Sequence, residues 1–290
     1  MEDIKESTQI EEVTYDEGNI RHLSDMEHVR TRPGMYIGRL GDGQQAEDGI
    51  YVLLKEVIDN SIDEFKMNAG KRIEVDIQDN LRASIRDYGR GIPQGKLVEA
   101  VSMLNTGGKY DSKAFKKSVG LNGVGLKAVN ALSSNFYVEA YRDGMCKYAT
   151  FSAGKLLDEG MKETKEKNGT FVKFIPDYDM FGDFAYNMEY VEAMVKNFSY
   201  LKRGLTVSLN GTAYKSENGL LDLIKDNISE TPLYEPIHLI GEDIEIVMTH
   251  GSSYGENIAS FVNGQNTRDG GTHLAAMREG SAKTLKEIYK

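Results

Sequence analysis

A glutamate and an asparagine stand one helical turn apart in the segment Glu56-Val-Ile-Asp-Asn60. Apolar residues recur around them at helical spacing, and Asp48 can cap the start, so we predict a helix from Gly49 to about Met67. Residues four positions apart face the same way on a helix. A carboxylate and an amide placed side by side can handle a proton and a cation. Taken alone, however, a glutamate on a helix is more often a surface acid.

A second acid, Asp87, comes at the end of an alternating segment. Apolar and polar residues alternate from Ile73 to Gln78, Asp79-Asn80 makes a turn, and a second alternating run begins at Leu81. This pattern predicts a hairpin. Asp87 has the parity of the apolar residues in its strand, so it faces the buried side, where an acid needs a hydrogen-bond donor. The glycines that follow are compatible with a plain turn, or with a backbone that must approach a ligand closely.

Three glycines, Gly120, Gly123 and Gly125, precede an apolar run that predicts a helix from Leu126 to Leu132. Backbone N–H groups at the start of a helix can bind anions, so this order suggests a phosphate site. A lone glycine loop is nevertheless a poor predictor of nucleotide binding.

These groups must be positioned by the remaining elements. We predict further strands at 136–141, 148–152, 170–175 and 205–209, and a helix near 190–200. The order is a helix, a hairpin, a loop, a helix and then mainly antiparallel strands, which predicts an α+β fold with helices on one face of the sheet. We place a domain boundary near residue 232, with new strands around 244–249 and 258–262.

Composition excludes several classes of protein. The 290 residues are 40% hydrophobic and 28% charged, which is ordinary for a globular protein, and no apolar run is long enough to span a bilayer. We therefore expect no membrane association. The net charge of -10 argues against a general polyanion-binding surface. The single cysteine, Cys146, and the polar N-terminus without a signal-like apolar segment predict a cytoplasmic protein.

The order and spacing of these motifs are more specific than any one of them. The motifs are Glu56 through Asn60, Asp87-x-Gly89-x-Gly91, Gly120-x-x-Gly123-x-Gly125 and Gly169-Thr170. This series resembles the nucleotide-binding motifs of the GHKL ATPase superfamily, which includes gyrase, Hsp90, histidine kinases and MutL. The resemblance implies the GHKL (Bergerat) sandwich of a mainly antiparallel sheet with helices on one face.

Within the superfamily the chain resembles the B subunits of bacterial type IIA DNA topoisomerases, DNA gyrase and topoisomerase IV. The resemblance runs from Val13 onward and rests on Arg30-x-Arg32-Pro-Gly-Met-Tyr-Ile-Gly38, Gly107-Gly-Lys-Tyr110, Val129-Asn-Ala-Leu-Ser133 and Thr267-Arg-Asp-Gly-Gly-Thr-His273. It implies a dimerisation arm at 1–20, an ATP-binding domain at 21–231 and the incomplete beginning of a transducer domain at 232–290. The combination of Asp59-Asn-Ser with Leu121-Asn-Gly-Val-Gly favours topoisomerase IV over gyrase.

The resemblance also implies the roles of individual residues. Glu56 is the expected general base for hydrolysis of ATP, Asn60 the expected ligand of Mg²⁺, and Asp87 the acceptor for the adenine amino group, assisted by Thr170. Arg142 is expected at the pocket edge, where aminocoumarin inhibitors of the family bind. The other expected ATP-site residues are Glu64, Arg90, Gly91, Ile92, Pro93, Lys109, Gly120, Leu121, Asn122, Gly123, Val124 and Gly125, with Tyr15 and Ile20 reaching the partner's site in trans.

The implied enzyme is larger than this chain. It is a heterotetramer with the A subunit, acts on double-stranded DNA, and closes by ATP-dependent homodimerisation through the N-terminal arm. Two alternatives remain: another superfamily member, such as a chaperone or mismatch-repair ATPase, and a dimerisation module that binds ATP with negligible turnover.

Four positions depart from the family pattern. Val119 and Asn122 replace the common first glycine and the histidine of the phosphate loop, Phe115 replaces a common tyrosine, and Val52 stands where gyrase-like members often have a histidine one turn before the base. The last departure leaves open which group orients Glu56.

Overall fold

A computed structural model describes residues 22–106, 123–252, 254–267 and 269–289. Tyr15, Ile20, Lys109, Phe115, Gly120, Leu121 and Asn122 lie outside these ranges. The helices are α1 (Asp25–Thr31), α2 (Gly34–Ile37), α3 (Gly49–Lys66), α4 (Leu97–Ser102), α5 (Gly125–Ala131), α6 (Tyr178–Phe181), α7 (Met188–Leu201), α8 (Leu220–Asn227) and α9 (Thr272–Ile288).

The centre of the fold is an eight-stranded sheet. Its strands are β1 (Arg72–Gln78), β2 (Arg82–Asp87), β3 (Ser133–Arg142), β4 (Met145–Ser152), β5 (Lys155–Glu163), β6 (Gly169–Pro176), β7 (Thr206–Leu209) and β8 (Thr212–Lys215). The spatial order is β5-β4-β3-β6-β2-β1-β7-β8. All neighbours are antiparallel except β1 and β7, which run parallel. The predicted α+β class with a mainly antiparallel sheet is confirmed.

The predicted hairpin is present as β1 and β2, with Ile73 opposite Asp87 and Val75 opposite Ile85. The alternating apolar residues are buried, as period-two burial of one sheet face requires. Asp87 follows the same parity and is 6% exposed, so the predicted inward orientation of this acid is confirmed.

The longest described helix, α3, packs its apolar stripe into the core. Ile50, Leu54 and Val57 are buried, which confirms the predicted helix and its orientation. Asp48 does occupy the N-cap position, but the prediction that it caps the helix is wrong, because its side chain makes no capping bond. The carboxylate instead accepts backbone N–H bonds from Gly43 at 2.9 Å and Gln45 at 3.1 Å, so it shapes the preceding loop.

The segment from Arg30 to Gly38 joins elements around α5. The Arg30 guanidinium donates to the carbonyl of Ala131 at 2.9 Å and pairs with Asp177 at 2.7 Å. This contact fixes the C-terminal end of α5 against α1 and against the turn after β6. The segment therefore positions the helix that follows the glycine loop.

A smaller set of elements follows β8. The helices α8 and α9 accompany two hairpins, made of β9 (Ile237–Ile240) with β10 (Glu245–Met248) and of β11 (Phe261–Val262) with β12 (Gln265–Asn266). The predicted strand at 244–249 is confirmed as β10, whereas the one predicted at 258–262 is only two residues long. Hydrophobic side chains such as Leu239, Ile240 and Ile244 are exposed here.

Candidate functional site

Glu56 and Asn60 occupy the middle of α3 and are both partly buried. The Asn60 side-chain amide donates to the Glu56 carbonyl at 2.7 Å. The Glu56 carboxylate lies against the first residue of α5, because a Cβ built on Gly125 would stand 1.9 Å from its Oε2 atom. Only glycine leaves room for the carboxylate at this point. The structure thus brings the proposed base next to the end of the glycine loop.

Asp87 ends β2 and is held by backbone donors. Its Oδ1 atom accepts the N–H of Gly89 at 2.9 Å and the N–H of Thr170 at 3.1 Å, and the Ser61 hydroxyl lies 3.4 Å from Oδ2. Burial raises the pKa of Asp87 to about 6, although both backbone bonds and the nearby Arg86 lower it. The carboxyl is therefore mainly ionised at neutral pH, and an ionised carboxylate can only accept hydrogen bonds.

The turn after Asp87 connects the end of β2 to α3. Arg90 donates to Glu64 three times, from its backbone N–H at 2.9 Å, from Nε at 2.9 Å and from Nη2 at 2.8 Å. The predicted ion pair between these residues is therefore present. Because the Arg90 side chain is 50% exposed, the pair is worth less than ~1 kcal/mol and shapes the turn more than it stabilises the fold.

Gly91 brings this turn against the ends of two strands. Its φ of +76° suits glycine, and a Cβ there would lie 2.6 Å from the Tyr141 carbonyl and 2.9 Å from the Gly169 carbonyl. The same atom would lie 3.1 Å from Cγ of Arg142, the last residue of β3. Arg142 therefore neighbours the turn. No interaction of its guanidinium is assigned in the described residues.

The remaining predicted residues flank this region. Ile92 packs partly buried against the core, and Pro93 is exposed at the start of a short 3-10 turn. Gly123 and Val124 lead directly into α5. Val52, one turn before Glu56, is partly buried against the core, and the Glu56 carboxylate lies against the backbone at Gly125.

Two functional candidates were missed from the sequence. Arg86 is 8% exposed and lies between the rings of Tyr88 and Tyr141, 4.6 and 4.4 Å from their centroids, while it donates to the carbonyls of Asp87 and Lys167. It fixes the backbone on the opposite side of the strand from the Asp87 carboxylate. The sequence signal for Arg86 was a cationic residue directly before the inward-facing Asp87 in the same strand.

The second missed residue is Lys127, in the apolar run of α5. It is 4% exposed, and its ammonium donates to the Thr106 carbonyl at 2.6 Å. This bond joins α5 to the end of the described segment before residue 107. The sequence signal for Lys127 was a single lysine within the apolar run that predicted this helix.

Within the described ranges, no three His, Cys, Asp or Glu side chains gather as a metal cluster. A magnesium ion bound mostly by phosphates, waters and one neutral amide oxygen needs no such cluster. The Asn60 amide nitrogen donates to the helix backbone, and the amide oxygen is the atom of this side chain whose chemistry suits Mg²⁺. In the part of the chain that the structure covers, we also find no helix that is long and apolar enough to cross a membrane.

Family models match most of the chain. A model described as "Histidine kinase-, DNA gyrase B-, and HSP90-like ATPase" matches residues 45–179, and a model described as "DNA gyrase B" matches residues 189–290. The first match contains Glu56, Asn60, Asp87 and Thr170. The second contains α8, α9 and both small hairpins.

Individual relatives agree with these models. The chain is 48% identical to the B subunit of DNA topoisomerase 4 of Borreliella burgdorferi over 95% of its length and 46% of that protein. It is 34% identical to the B subunit of DNA gyrase of Archaeoglobus fulgidus over 96% of its length and 47% of that protein. The chain thus spans about half the length of the curated relatives it matches.

A solved structure shares the fold. The crystal structure of the 43K ATPase domain of Thermus thermophilus gyrase B, in complex with an aminocoumarin, matches with a TM-score of 0.71 at 28% identity. The match covers 91% of this chain and 73% of that one. The predicted GHKL fold is thereby confirmed, and the chain belongs to the family of type IIA DNA topoisomerase B subunits.

Proposed function

We propose that this chain binds and hydrolyses ATP and serves as the ATP-operated dimerisation gate of a type IIA DNA topoisomerase. The observation that carries the proposal is the placement of one carboxylate, Glu56, against the end of the glycine loop, while a second, Asp87, is buried on backbone donors. The two acids have different surroundings and therefore suit different tasks.

Glu56 takes the proton from the water that attacks the γ-phosphate. Its oxygen adjoins Gly125, where the loop backbone would meet phosphates, and a helix holds it rigidly. Gly123, Val124 and Gly125 follow Gly120, Leu121 and Asn122 in the proposed phosphate loop, to which Lys109 adds a positive charge.

Asp87 selects the base. Its Oδ1 atom already accepts two backbone N–H groups, so Oδ2 accepts the adenine amino group, with Ser61 beside it. Guanine carries a carbonyl oxygen at that position and would place it against the carboxylate. Thr170 lies near the start of the neighbouring strand β6. Ile92, Pro93 and the ion pair of Glu64 with Arg90 enclose the base. Arg142 lies at the outer edge.

Asn60 would hold Mg²⁺ through its amide oxygen. The ion would supply positive charge that offsets the negative charge of the phosphates during hydrolysis. A carboxylate in place of Asn60 would add repulsion toward the phosphates.

The remaining parts of the proposal concern the whole enzyme. We assign residues 1–20 to a dimerisation arm that carries Tyr15 and Ile20 to the partner's site, 21–231 to the ATPase domain and 232–290 to the start of the transducer. The partners are a second copy, the A subunit and double-stranded DNA, and the location is the cytoplasm. The higher identity to a topoisomerase IV subunit than to a gyrase subunit, 48% against 34%, supports topoisomerase IV.

The proposal is tested by calorimetry with ATP and GTP and by phosphate release from the chain. ATP should bind at least about tenfold more tightly than GTP, since the wrong base leaves polar groups of a buried site mismatched. Equal affinities would contradict the role of Asp87. Tight ATP binding without phosphate release would instead favour the non-hydrolysing dimerisation module.

A further inference from the structure

The β11–β12 hairpin contacts the helix that carries the proposed catalytic residues. The Gln265 side-chain amide donates to Oδ2 of Asp59 on α3 at 3.2 Å, although 206 residues separate them in the sequence. At the tip of the hairpin, a Cβ built on Gly264 would lie 3.7 Å from the Lys202 ammonium at the end of α7. The hairpin therefore makes one side-chain hydrogen bond to α3, and its tip lies close to the end of α7.

Asp59 is a buried acid with few neighbours to satisfy it. It is 3% exposed, and the oxygen that accepts from Gln265 also pairs with Lys55 one turn earlier on α3. A buried carboxylate that loses a donor is costly, so each donor restricts where the side chain can lie. Gln265 donates to this carboxylate from outside α3.

The described residues of the hairpin bury little of their own surface. Residues 261–266 are all described, and they include no buried side chain. Its strands are two residues long, and such a hairpin is marginal without packing against other elements. The Gln265–Asp59 bond therefore contributes to the position of the hairpin.

Asp59 is adjacent to Asn60 and lies three residues after Glu56, so all three share one rigid stretch of helix. We propose that the Gln265–Asp59 bond is a positioning contact, through which the hairpin sets the placement of Glu56 and Asn60 for hydrolysis. The inference rests on the proposed ATPase function. It gives Asp59 and Gln265 a role in the rate of hydrolysis, although neither residue is proposed to contact the nucleotide.

The test uses Gln265→Ala and Gln265→Glu in the 290-residue chain, with Asn266→Ala as the matched control from the exposed face of the same hairpin. Three quantities are measured: affinity for a non-hydrolysable ATP analogue, the single-turnover hydrolysis rate with protein in excess, and hydrogen exchange of residues 261–266. Single turnover with excess protein detects slow hydrolysis that steady-state assays miss.

Gln265→Ala should lower the hydrolysis rate three- to tenfold, leave analogue affinity within twofold and speed hydrogen exchange in the hairpin. Gln265→Glu should lower the rate further, because it places a second carboxylate against Asp59. In a double-mutant cycle, adding Gln265→Ala to Asp59→Asn should cost less than it costs in the parent chain.

The proposal is overturned if Gln265→Ala speeds hairpin exchange but hydrolysis stays at the Asn266→Ala rate, because the contact would then be structural only. Additive effects in the cycle overturn it as well. If the parent chain binds no analogue, the proposed function itself is refuted. Hydrogen exchange of residues 261–266 still reports whether the Gln265–Asp59 contact exists. Binding without any hydrolysis removes the positioning role but keeps nucleotide binding.

Discussion

At the scale of single residues, the buried carboxyl of Asp87 links fold and function. Its backbone partners, Gly89 and Thr170, lie on two different segments, so one side chain ties the turn after β2 to the start of β6. The same bonds occupy Oδ1 and orient Oδ2 toward the side where Ser61 lies. In the proposed site, the residue that joins these two segments also offers one acceptor atom to the adenine base.

We predict that Asp87→Asn weakens ATP binding by about tenfold or more while the fold persists. The amide can keep both backbone bonds through its oxygen, but its nitrogen then faces the adenine amino group, donor against donor. Calorimetry measures the affinity, and thermal unfolding measures the stability. Unchanged affinity would reduce Asp87 to a turn residue.

The titration of Asp87 gives a second prediction, in which a fall in pH stabilises the fold but weakens ATP binding. Its folded pKa, about 6, lies above its ordinary value of 3.8, so its contribution to stability is full at low pH and lost as pH rises through 6. ATP binding needs the ionised form and should weaken by about tenfold between about pH 7 and about pH 5.

Calorimetry across this range and urea unfolding without nucleotide measure the two trends. The triphosphate also titrates near neutrality. The pH dependence of ATP binding by Asp87→Asn, which lacks the carboxyl, therefore measures the contribution of the nucleotide. If the parent and Asp87→Asn share one binding profile, the carboxyl does not titrate in contact with the base.

At the scale of elements, the sequence predicted what alternation and helical spacing encode. The β1–β2 hairpin and the inward Asp87 follow from period two, and α3 follows from its apolar stripe. The strand β5 was not predicted, because it lies at the sheet edge with mostly exposed residues and has no apolar alternation. The helix α9 was not predicted either, and none of its described residues is buried.

Side-chain partners were harder to predict than elements. Asp48 stands where a helix cap belongs, yet the loop at Gly43 and Gln45 competes for the same carboxylate. The link between Gln265 and Asp59 joins positions 206 residues apart, and no local pattern encodes such a contact. The candidate site was predicted from motif order, whereas the contact of Glu56 with Gly125 needed the structure.

We predict that Gly125→Ala lowers hydrolysis by at least about tenfold without destabilising the fold. The added Cβ would stand 1.9 Å from the Glu56 carboxylate oxygen and must displace it. Alanine otherwise favours the first turn of α5, so helix propensity does not explain a loss. Single-turnover hydrolysis and thermal unfolding report the two effects.

The control for this variant is Gly95→Ala, since a Cβ at Gly95 would meet no atom within 4 Å. Gly95→Ala should hydrolyse ATP at the parent rate. A Gly125→Ala rate within twofold of the parent would mean that Glu56 works from a different position.

At the scale of the whole molecule, we propose that this chain works as part of a larger assembly. A net charge of -10 gives little general affinity for DNA, so we expect the main DNA-binding surface in other parts of the enzyme. The chain spans about half the length of the curated relatives it matches.

We predict that a non-hydrolysable ATP analogue drives dimerisation of the complete ATPase and transducer segment, and that deletion of residues 1–20 abolishes it. The arm has too little apolar surface to fold alone, so contacts with a partner must offset the entropy of ordering it. Light scattering with and without the arm measures the effect. Analogue-driven dimers that survive the deletion would refute the exchange of arms.

The most direct test of the central claim is single-turnover hydrolysis by Glu56→Ala, measured beside ATP affinity and beside Glu189→Ala, an exposed glutamate on α7. We predict that Glu56→Ala binds ATP within a few fold of the parent and hydrolyses it at least ~10²-fold more slowly, the usual scale for a general base. Glu189→Ala should match the parent in both. Hydrolysis by Glu56→Ala near the parent rate would contradict the assignment of Glu56 as the base.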